Sequence, residues 1–377
     1  MPELSAEMWF SIYVFAALAV AAIVSFAATP LVRAFARRVG AMDVPKDDRR
    51  MHSVPIARIG GLAIFFGFIL SVLIFADITR QMQGILIGSV IIMVLGLIDD
   101  IISLPALLKF VVQFVAAGVA VGHGVIIEKL TNPNVFSHNA YIEFGPVASV
   151  IITLLWIVAI TNSVNFIDGL DGLAVGVSTI SAFSMLVIAL MVSEPGVAIV
   201  MAALAGACVG FMPYNMNPAK IFMGDTGATF IGFILATMSV QGFFKFYTIM
   251  SFAVPFLVLA IPIFDTVFAF FRRILKKQNP MTADRGHVHH RLIDMGFNQK
   301  QAVAIMYTLS GILGLTAVVL TASGEVRAML LIAAFLVAGA IAVKVFLQES
   351  KNKKAPPKDG GAEEQGTPPD ETERDGE

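Results

Sequence analysis

The chain has 377 residues, of which 57% are hydrophobic and only 14% are charged, and its formal net charge is −1. A mean hydropathy of +0.81 is typical of polytopic membrane proteins and excludes an ordinary soluble multidomain protein. The near-neutral charge, with Lys and Arg gathered in particular loops, gives no indication of nucleic-acid binding. The single cysteine, Cys208, excludes an intramolecular disulfide and a cysteine-based zinc site.

Apolar runs of roughly 20 residues predict membrane-spanning helices, because backbone polar groups in hydrocarbon must be satisfied within the segment. Polar, glycine and proline residues divide the sequence into eleven such runs, at residues 9–31, 61–78, 84–98, 104–121, 147–160, 173–192, 197–212, 226–242, 247–271, 302–321 and 326–346. We therefore predict an all-α fold, a polytopic membrane helix bundle of about eleven transmembrane helices.

Basic residues in the short loops predict the orientation of this bundle. The loops after the first and ninth spans carry seven Lys and Arg residues each, whereas the loops on the opposite side carry four in total. The N-terminus is therefore predicted outside and the C-terminus in the cytoplasm. We expect residues 1–349 to form the integral membrane domain and the Gly, Pro and Glu-rich residues 350–377 to form a disordered cytoplasmic tail.

Two carboxylates, Asp168 and Asp171, lie between the fifth and sixth spans in the motif Asp-Gly-Leu-Asp-Gly. Carboxylates at a membrane boundary are tolerated chiefly when they meet water, a cation or a partner. Glycine allows the backbone to approach a ligand closely, and Mg²⁺ is the cation that phosphate chemistry favours. The alternative is that both residues are simple helix caps.

Three further polar positions fall on the same predicted side. Asp99 and Asp100 close the third span as a like-charge pair, which indicates a base or a metal site, or alternatively a polar stop to the span. Lys109 is placed to reach a phosphate or to extend toward lipid headgroups. Asp225 opens the eighth span, where free backbone N–H groups favour phosphate and the carboxylate favours a metal; a plain helix cap is the alternative.

A histidine group, His287, His289 and His290, follows the ninth span in an arginine-rich loop. Without cysteines nearby, this group suits an anionic ligand better than zinc, although a solvated loop is the alternative. Asp265, within the ninth span, is interpreted as a structural partner of an arginine. The unusual polar residues of five separate loops thus share one predicted face, as a single active site requires.

Together these residues form motifs that resemble those of the polyprenyl-phosphate N-acetylhexosamine-1-phosphate transferases, and the His-x-His-His pattern resembles that of the undecaprenyl-phosphate N-acetylglucosaminyl 1-phosphate transferase branch. Ala228 departs from the serine that the family often has after Asp-Thr-Gly. The motifs cover residues 50–61 together with Gly96-Leu-Ile-Asp-Asp100, Asn165-Phe-Ile-Asp-Gly-Leu-Asp-Gly172, Met223-Gly-Asp-Thr-Gly227 and His287-Val-His-His-Arg-Leu292.

The resemblance implies transfer of N-acetylglucosamine 1-phosphate from UDP-N-acetylglucosamine to undecaprenyl phosphate, with release of UMP. It implies catalytic roles for Asp99, Asp100 and Lys109, either without or with a covalent aspartyl intermediate. It also implies Mg²⁺, or Mn²⁺ in its place, held by Asp225 with Asp168 and Asp171. The substrate-binding residues that it implies are Asn165, Asn215, His287, His289, His290, Arg58 and Arg291.

The resemblance further implies a bacterial plasma-membrane enzyme whose active site faces the cytoplasm and whose product begins a cell-wall or surface glycan such as teichoic acid. A homodimer is left open. Two alternatives remain at this point. One is a transferase for another UDP-N-acetylhexosamine, including UDP-N-acetylmuramoyl-pentapeptide, and the other is a transporter for a nucleotide sugar.

Overall fold

The computed structural model describes residues 6–44, 54–131, 141–242, 250–275 and 287–323, all within one compact unit, Met1–Ile332. The eleventh predicted span, 326–346, and the predicted tail, 350–377, lie outside the described residues. The helices are α1 Ala6–Val39, α2 Gly61–Phe75, α3 Arg80–Ile102, α4 Ala106–Gly122, α5 Pro146–Phe166, α6 Leu173–Met191, α7 Pro195–Asn215, α8 Gly224–Gly242, α9 Met250–Val258, α10 Ala260–Leu275, α11 Val288–Asp294 and α12 Gln299–Ser323.

Two short antiparallel strand pairs interrupt the otherwise helical order of the described chain. Strand β1 (Met42–Asp43) pairs with β2 (Ile56–Ala57), and β3 (Lys129–Thr131) pairs with β4 (Tyr141–Glu143). Both pairs lie in connections between helices, where a run of a few residues satisfies its backbone groups by pairing. The structure is therefore mostly helical, with two small departures from the predicted all-α fold.

Six helices in the described ranges are long and apolar enough to cross a membrane, namely α1, α3, α5, α6, α7 and α12, and α2 and α4 are shorter apolar helices. Large apolar side chains remain exposed on their outer faces, including Phe15, Leu107 and Val147, each more than 70% exposed. Such exposure is expected of surfaces that face lipid. The prediction of a polytopic helical membrane protein is confirmed.

Close helix contacts in this bundle depend on small residues. Helix α1 packs against α2 and α7. Gly206 and Gly210, one turn apart on α7, lie directly against the backbone carbonyl oxygens of Leu18 and Ala22 on α1, so that a Cβ at either glycine would collide with backbone. Helices in membranes commonly approach through small residues four apart, because apolar side chains gain little by leaving lipid.

The predicted span 247–271 is wrong in one respect, because the helix breaks at Leu259 into α9 and α10. Pro262 has no N–H to donate to the carbonyl of Val258, four residues earlier. The hydroxyl of Ser181 on α6 donates to that carbonyl at 2.9 Å. A side chain from a neighbouring helix therefore satisfies the carbonyl oxygen that the proline leaves without its usual donor.

Helix α8 lies at the centre of the described bundle and places the site. It packs against α3 and α5, and every residue from 226 to 240 is buried. Its first turn, which begins at Gly224, meets the last turn of α3. Because α3 continues to Ile102, beyond the predicted end at residue 98, Asp99 and Asp100 lie within that turn and face the start of α8.

Candidate active site

Asp100 is the carboxylate that fixes the beginning of α8. Its Oδ2 accepts hydrogen bonds from the backbone N–H of Thr226 at 2.9 Å and from the Thr226 hydroxyl at 2.6 Å, and its Oδ1 accepts from the N–H of Asp225 at 3.1 Å. Arg58 lies 3.4 Å from the same Oδ1. The free N–H groups at a helix start favour a negative charge, so Asp100 occupies the position that a capping anion would take.

Lys109 joins two carboxylates from different helices. Its Nζ lies 2.9 Å from Asp99 Oδ2 on α3 and 3.1 Å from Asp225 Oδ2 on α8. Asp99 Oδ1 also accepts from the N–H of Leu104 at 2.6 Å, which holds the turn between α3 and α4. The Lys109 side chain is 31% exposed, so the cation faces an open region between the two carboxylates. The structure thus brings together all four residues of the predicted centre on α3, α4 and α8.

Asp168 lies in the turn between α5 and α6 and adds a further carboxyl group to the site. Burial, together with the nearby charges of Asp225, Asp100 and Asp171, raises the pKa of Asp168 to about 8. Within the described part of the chain, its side chain has no hydrogen-bond partner. A half-buried carboxyl group that lies near other carboxylates and has no hydrogen-bond donor is stabilised in its ionised form by a bound cation.

Asp171 is placed differently from Asp168, although the sequence predicts that they share one ligand. Its Oδ2 accepts from Asn217 Nδ2 at 2.9 Å and from the N–H of Ala219 at 3.0 Å. Neither acid lies within α6, which begins at Leu173 after Gly172, whose φ is +80°. The described contacts of Asp171 therefore anchor the α7–α8 connection to the acidic turn.

Asn215, predicted to bind substrate, is 2% exposed and joins the same two loops. Its Oδ1 accepts from the N–H of Gly172 at 3.2 Å, and its Nδ2 donates to the carbonyl of Ile221 at 3.0 Å. Tyr307 on α12 donates to the carbonyl of Gly172 at 2.6 Å. These contacts hold Gly172 of the acidic turn from α7 and from α12.

The histidine group forms part of a helix rather than the predicted loop, because Val288–Asp294 is α11. His287 and His289 stack with ring centroids 5.7 Å apart and an angle of 6° between the rings. His289 is 1% exposed and its ring lies against Gly169 of the acidic turn. Burial lowers the pKa of His289 to about 4, with a smaller contribution from the charge of His290. His289 is therefore neutral near pH 7.

Asp265 was interpreted from the sequence as the partner of an arginine. In the structure its Oδ2 is 2.8 Å from Nδ1 of His287, and its Oδ1 accepts from the N–H of Val288 at 2.6 Å. Sequence reasoning missed this link between α10 and α11. The sequence shows only that an acid lies in the span before the histidine group. The 22-residue separation of Asp265 and His287 gives no indication that the two side chains are in contact.

The remaining predicted binding residues lie around this centre. Asn165 is half-buried at the end of α5, and its carbonyl accepts from the N–H of Asp168 at 3.2 Å. The Arg291 guanidinium lies over the ring of Phe268, 5.4 Å from its centroid. His290 follows His289 with ring centroids 4.3 Å apart.

Mg²⁺ is compatible with this set of oxygen donors. Asp99 and Asp225 share Lys109, and Arg58 pairs with Asp100, so Asp168 is the acid of this group without a cationic partner among the described residues. In the described ranges no three carboxylate or histidine side chains converge closely enough to enclose a metal. Mg²⁺ does not require such a cage, because it usually keeps water ligands and takes one or two carboxylates together with substrate phosphates.

Comparison with known proteins agrees with this geometry. Residues 82–243 match glycosyl transferase family 4. The chain is 39% identical over 293 residues to the "probable undecaprenyl-phosphate N-acetylglucosaminyl 1-phosphate transferase" of Bacillus subtilis, covering 78% of this chain and 80% of the relative. It is 36% identical over 321 residues to the decaprenyl-phosphate N-acetylglucosaminephosphotransferase of Mycolicibacterium smegmatis, covering 78% of each.

A more distant relative belongs to another branch. The chain is 29% identical over 271 residues to the phospho-N-acetylmuramoyl-pentapeptide-transferase of Staphylococcus epidermidis, covering 68% of this chain and 82% of the relative. The family match at residues 82–243 includes the acids on α3, the acidic turn and the start of α8. The chain therefore belongs to glycosyl transferase family 4, the membrane-embedded transferases that join sugar phosphates to polyprenyl phosphates.

Proposed function

We propose that this protein transfers N-acetylglucosamine 1-phosphate from UDP-N-acetylglucosamine to undecaprenyl phosphate, releasing UMP, as the first membrane step of a cell-wall or surface glycan. The printed names of the relatives from Bacillus subtilis and Mycolicibacterium smegmatis support the donor sugar and the polyprenyl acceptor. The observation that carries the proposal is that Lys109 is held between Asp99 and Asp225. The end of α3, the start of α4 and the start of α8 thereby present carboxylates and a cation together to the reacting phosphates.

In the proposed reaction, an oxygen of the lipid phosphate forms a bond to the sugar-proximal phosphorus of the nucleotide sugar. The bond between that phosphorus and the bridging oxygen breaks, and UMP leaves with the electron pair. A phosphate monoester has a second pKa near 6, by the value for phosphoserine, so the acceptor is largely dianionic and needs little help from a base. Repulsion between anions is the larger obstacle.

The residues of the centre address that obstacle in different ways. Lys109 is partly exposed and places a positive charge where phosphate oxygens enter. Asp99 orients Lys109, and Asp100 positions the start of α8 through three hydrogen bonds. Asp100 thus acts in the proposed mechanism by holding Asp225 in place rather than by accepting a proton.

Asp225 and Asp168 would hold Mg²⁺ or Mn²⁺ in this proposal, with Asp171 as the neighbour that fixes the adjacent loop. A bound divalent ion supplies charge neutralisation to the diphosphate and to the departing UMP. Within the described residues the Asp168 side chain has no hydrogen-bond partner and lies near Asp225, which supports this assignment. Metal binding by Asp168 requires loss of its proton, so we expect the affinity for Mg²⁺ to rise with pH up to about pH 8.

The topology of eleven spans, with the N-terminus outside and the active site on the cytoplasmic face, belongs to the same proposal. The helical segments α1 to α8, α9 with α10, and α12 coincide with ten predicted spans. The distribution of Lys and Arg in the loops supports the orientation. Labelling of single cysteines introduced into the loops of a Cys208→Ala protein, in intact cells and in inverted vesicles, tests it.

The activity is tested with the detergent-solubilised full chain, undecaprenyl phosphate, UDP-N-acetylglucosamine and MgCl₂. We expect release of UMP and formation of a lipid diphosphate sugar by mass spectrometry, with loss of both in EDTA and recovery on addition of Mg²⁺. Absence of UMP release with every UDP-N-acetylhexosamine tried would refute the transferase assignment. Preference for UDP-N-acetylmuramoyl-pentapeptide would instead assign the chain to the branch of the Staphylococcus epidermidis relative.

A further inference from the structure

Asp265 uses both carboxylate oxygens to hold the first residues of α11. The side chain lies on α10 and is 1% exposed. One oxygen contacts Nδ1 of His287 at 2.8 Å, and the other accepts from the backbone N–H of Val288 at 2.6 Å. An ionised carboxylate can only accept hydrogen bonds, so the contact with an ionised Asp265 is one in which the Nδ1–H of His287 donates.

This contact determines which atom of His287 remains for a ligand. With Nδ1 directed at Asp265, Nε2 is the one ring nitrogen left without an assigned role. The imidazole lies between the ring of Phe166, 5.9 Å away, and the parallel ring of His289, which lies against Gly169 of the acidic turn. The His287 side chain keeps 13% exposure, whereas its carboxylate partner keeps 1%.

We propose that Asp265 is a positioning residue for the transfer reaction, which fixes the His287 ring with its Nδ1 proton toward α10 so that Nε2 is presented to a phosphate oxygen of the diphosphate. The inference rests on the proposed function, because it takes the diphosphate as the ligand. When Nε2–H donates to that oxygen, Asp265 balances the positive charge of the imidazolium, as second carboxylates do for histidines at many active sites.

The Asp265 carboxylate also has a second, structural role, because it accepts a hydrogen bond from the N–H of Val288 at the start of α11. The Asp265→Asn variant separates the two roles. Its amide oxygen can still accept from Val288, and its NH₂ group then faces Nδ1 of His287 as a donor. That arrangement removes the Nδ1 proton, moves the neutral proton to Nε2 and prevents the imidazolium.

The activity test compares wild-type protein, Asp265→Asn and a control, Asp294→Asn, which changes an exposed carboxylate at the other end of α11. In Asp265→Asn the hydrogen bond from the His287 imidazolium to the phosphate becomes a bond from a neutral imidazole, which should lower kcat/KM about tenfold. The thermal midpoint should stay at the wild-type value. Asp294→Asn should behave as wild type. Wild-type activity in Asp265→Asn would overturn the proposal.

A second measurement does not depend on turnover. The chain has 6 histidines, so solid-state NMR of ¹⁵N-histidine-labelled protein in lipid bilayers can resolve them, with His287 assigned by the loss of its signals in His287→Gln. We expect Nδ1 of His287 to be protonated in the wild-type protein and unprotonated in Asp265→Asn. An unprotonated Nδ1 in the wild type, or no change in the variant, would overturn the proposal.

These measurements separate two failures. If the wild-type protein releases no UMP, the proposed transferase function fails whatever the histidine spectrum shows. If the wild type is active and Asp265→Asn is equally active, the transferase function stands and the role of Asp265 fails.

Discussion

Gly96 on α3 leaves no space for a side chain beneath the start of α8. A Cβ at this position would lie 2.5 Å from Thr226 Cα, 2.6 Å from Thr226 N and 2.8 Å from the carbonyl carbon of Asp225. All three are backbone atoms, so no side-chain rotation can relieve the overlap. Because ordinary van der Waals contact begins at 3.4 Å, Gly96→Ala must push α8 away by roughly 0.9 Å.

This displacement affects the hydrogen bonds that place Asp225. The bonds from Thr226 and Asp225 to Asp100 are 2.6, 2.9 and 3.1 Å long, and a shift of that size takes two of them beyond hydrogen-bonding distance. A misplacement of about 1 Å in an active site can cost about 100-fold in rate. We therefore expect Gly96→Ala to lower kcat/KM for UMP release by about 100-fold.

Gly118→Ala on α4 is the matched control, because nothing lies within 4 Å of a Cβ built at that position. Alanine is a better helix former than glycine, so Gly118→Ala should keep full activity and gain up to about 1 kcal/mol of stability. Both variants are compared by UMP release and by thermal unfolding in detergent. Activity of Gly96→Ala within about threefold of wild type would show that α8 does not require this contact, contrary to the reasoning from packing.

Three further outcomes are expected. Asp225→Asn should abolish UMP release without lowering the thermal midpoint, since it removes a metal-binding oxygen but little packing; near-normal turnover would refute its metal role. Lys109→Met should lower kcat/KM by about 100-fold or more, because it leaves Asp99 and Asp225 without their shared cation, and Lys109→Arg should restore part of the activity. His289 has a folded-state pKa of about 4, below its ordinary 6.5, so the unfolded chain binds the extra proton between these values. The contribution of the neutral His289 side chain to the free energy of unfolding is complete above pH 6.5 and decreases toward pH 4 by at most about 1.4 kcal/mol per pH unit. His289→Gln should therefore lose less thermal stability than wild type between pH 7 and pH 5. An unchanged slope would contradict the burial of a neutral imidazole.

Much of the bundle was predictable because hydropathy marks each membrane segment independently of its neighbours. The fourth predicted span, 104–121, corresponds to α4, despite Lys109 and Gln113 within it. The break at Leu259 was not predictable, because Pro262 alone permits either a bent or a broken helix. The donor from Ser181 on α6 shows which of these the chain adopts, and that contact joins residues 77 positions apart.

The acids of the site were predictable as a group, but their individual roles were not. Asp100 and Asp99 are adjacent in the sequence, yet one caps α8 and the other pairs with Lys109, because successive helical residues point in different directions. Asp171 and Asp168 also differ, because Asp171 accepts hydrogen bonds from Asn217 and Ala219, whereas no such contact reaches Asp168 from the described residues. Roles of this kind depend on partners that lie 10 to 126 residues away in the sequence.

The glycines around the first turn of α8 have a practical consequence for anyone who wishes to alter donor choice. Gly61, Gly96 and Gly227 each lie against backbone, so a side chain introduced at any of them would displace the first turn of α8 and with it Asp225. The exposed Arg291 on α11 has no such restriction. Mutant libraries aimed at new sugar nucleotides should therefore keep the α3–α8 contact constant and vary Arg291, while His287 and His289 keep their contacts with Asp265 and Gly169.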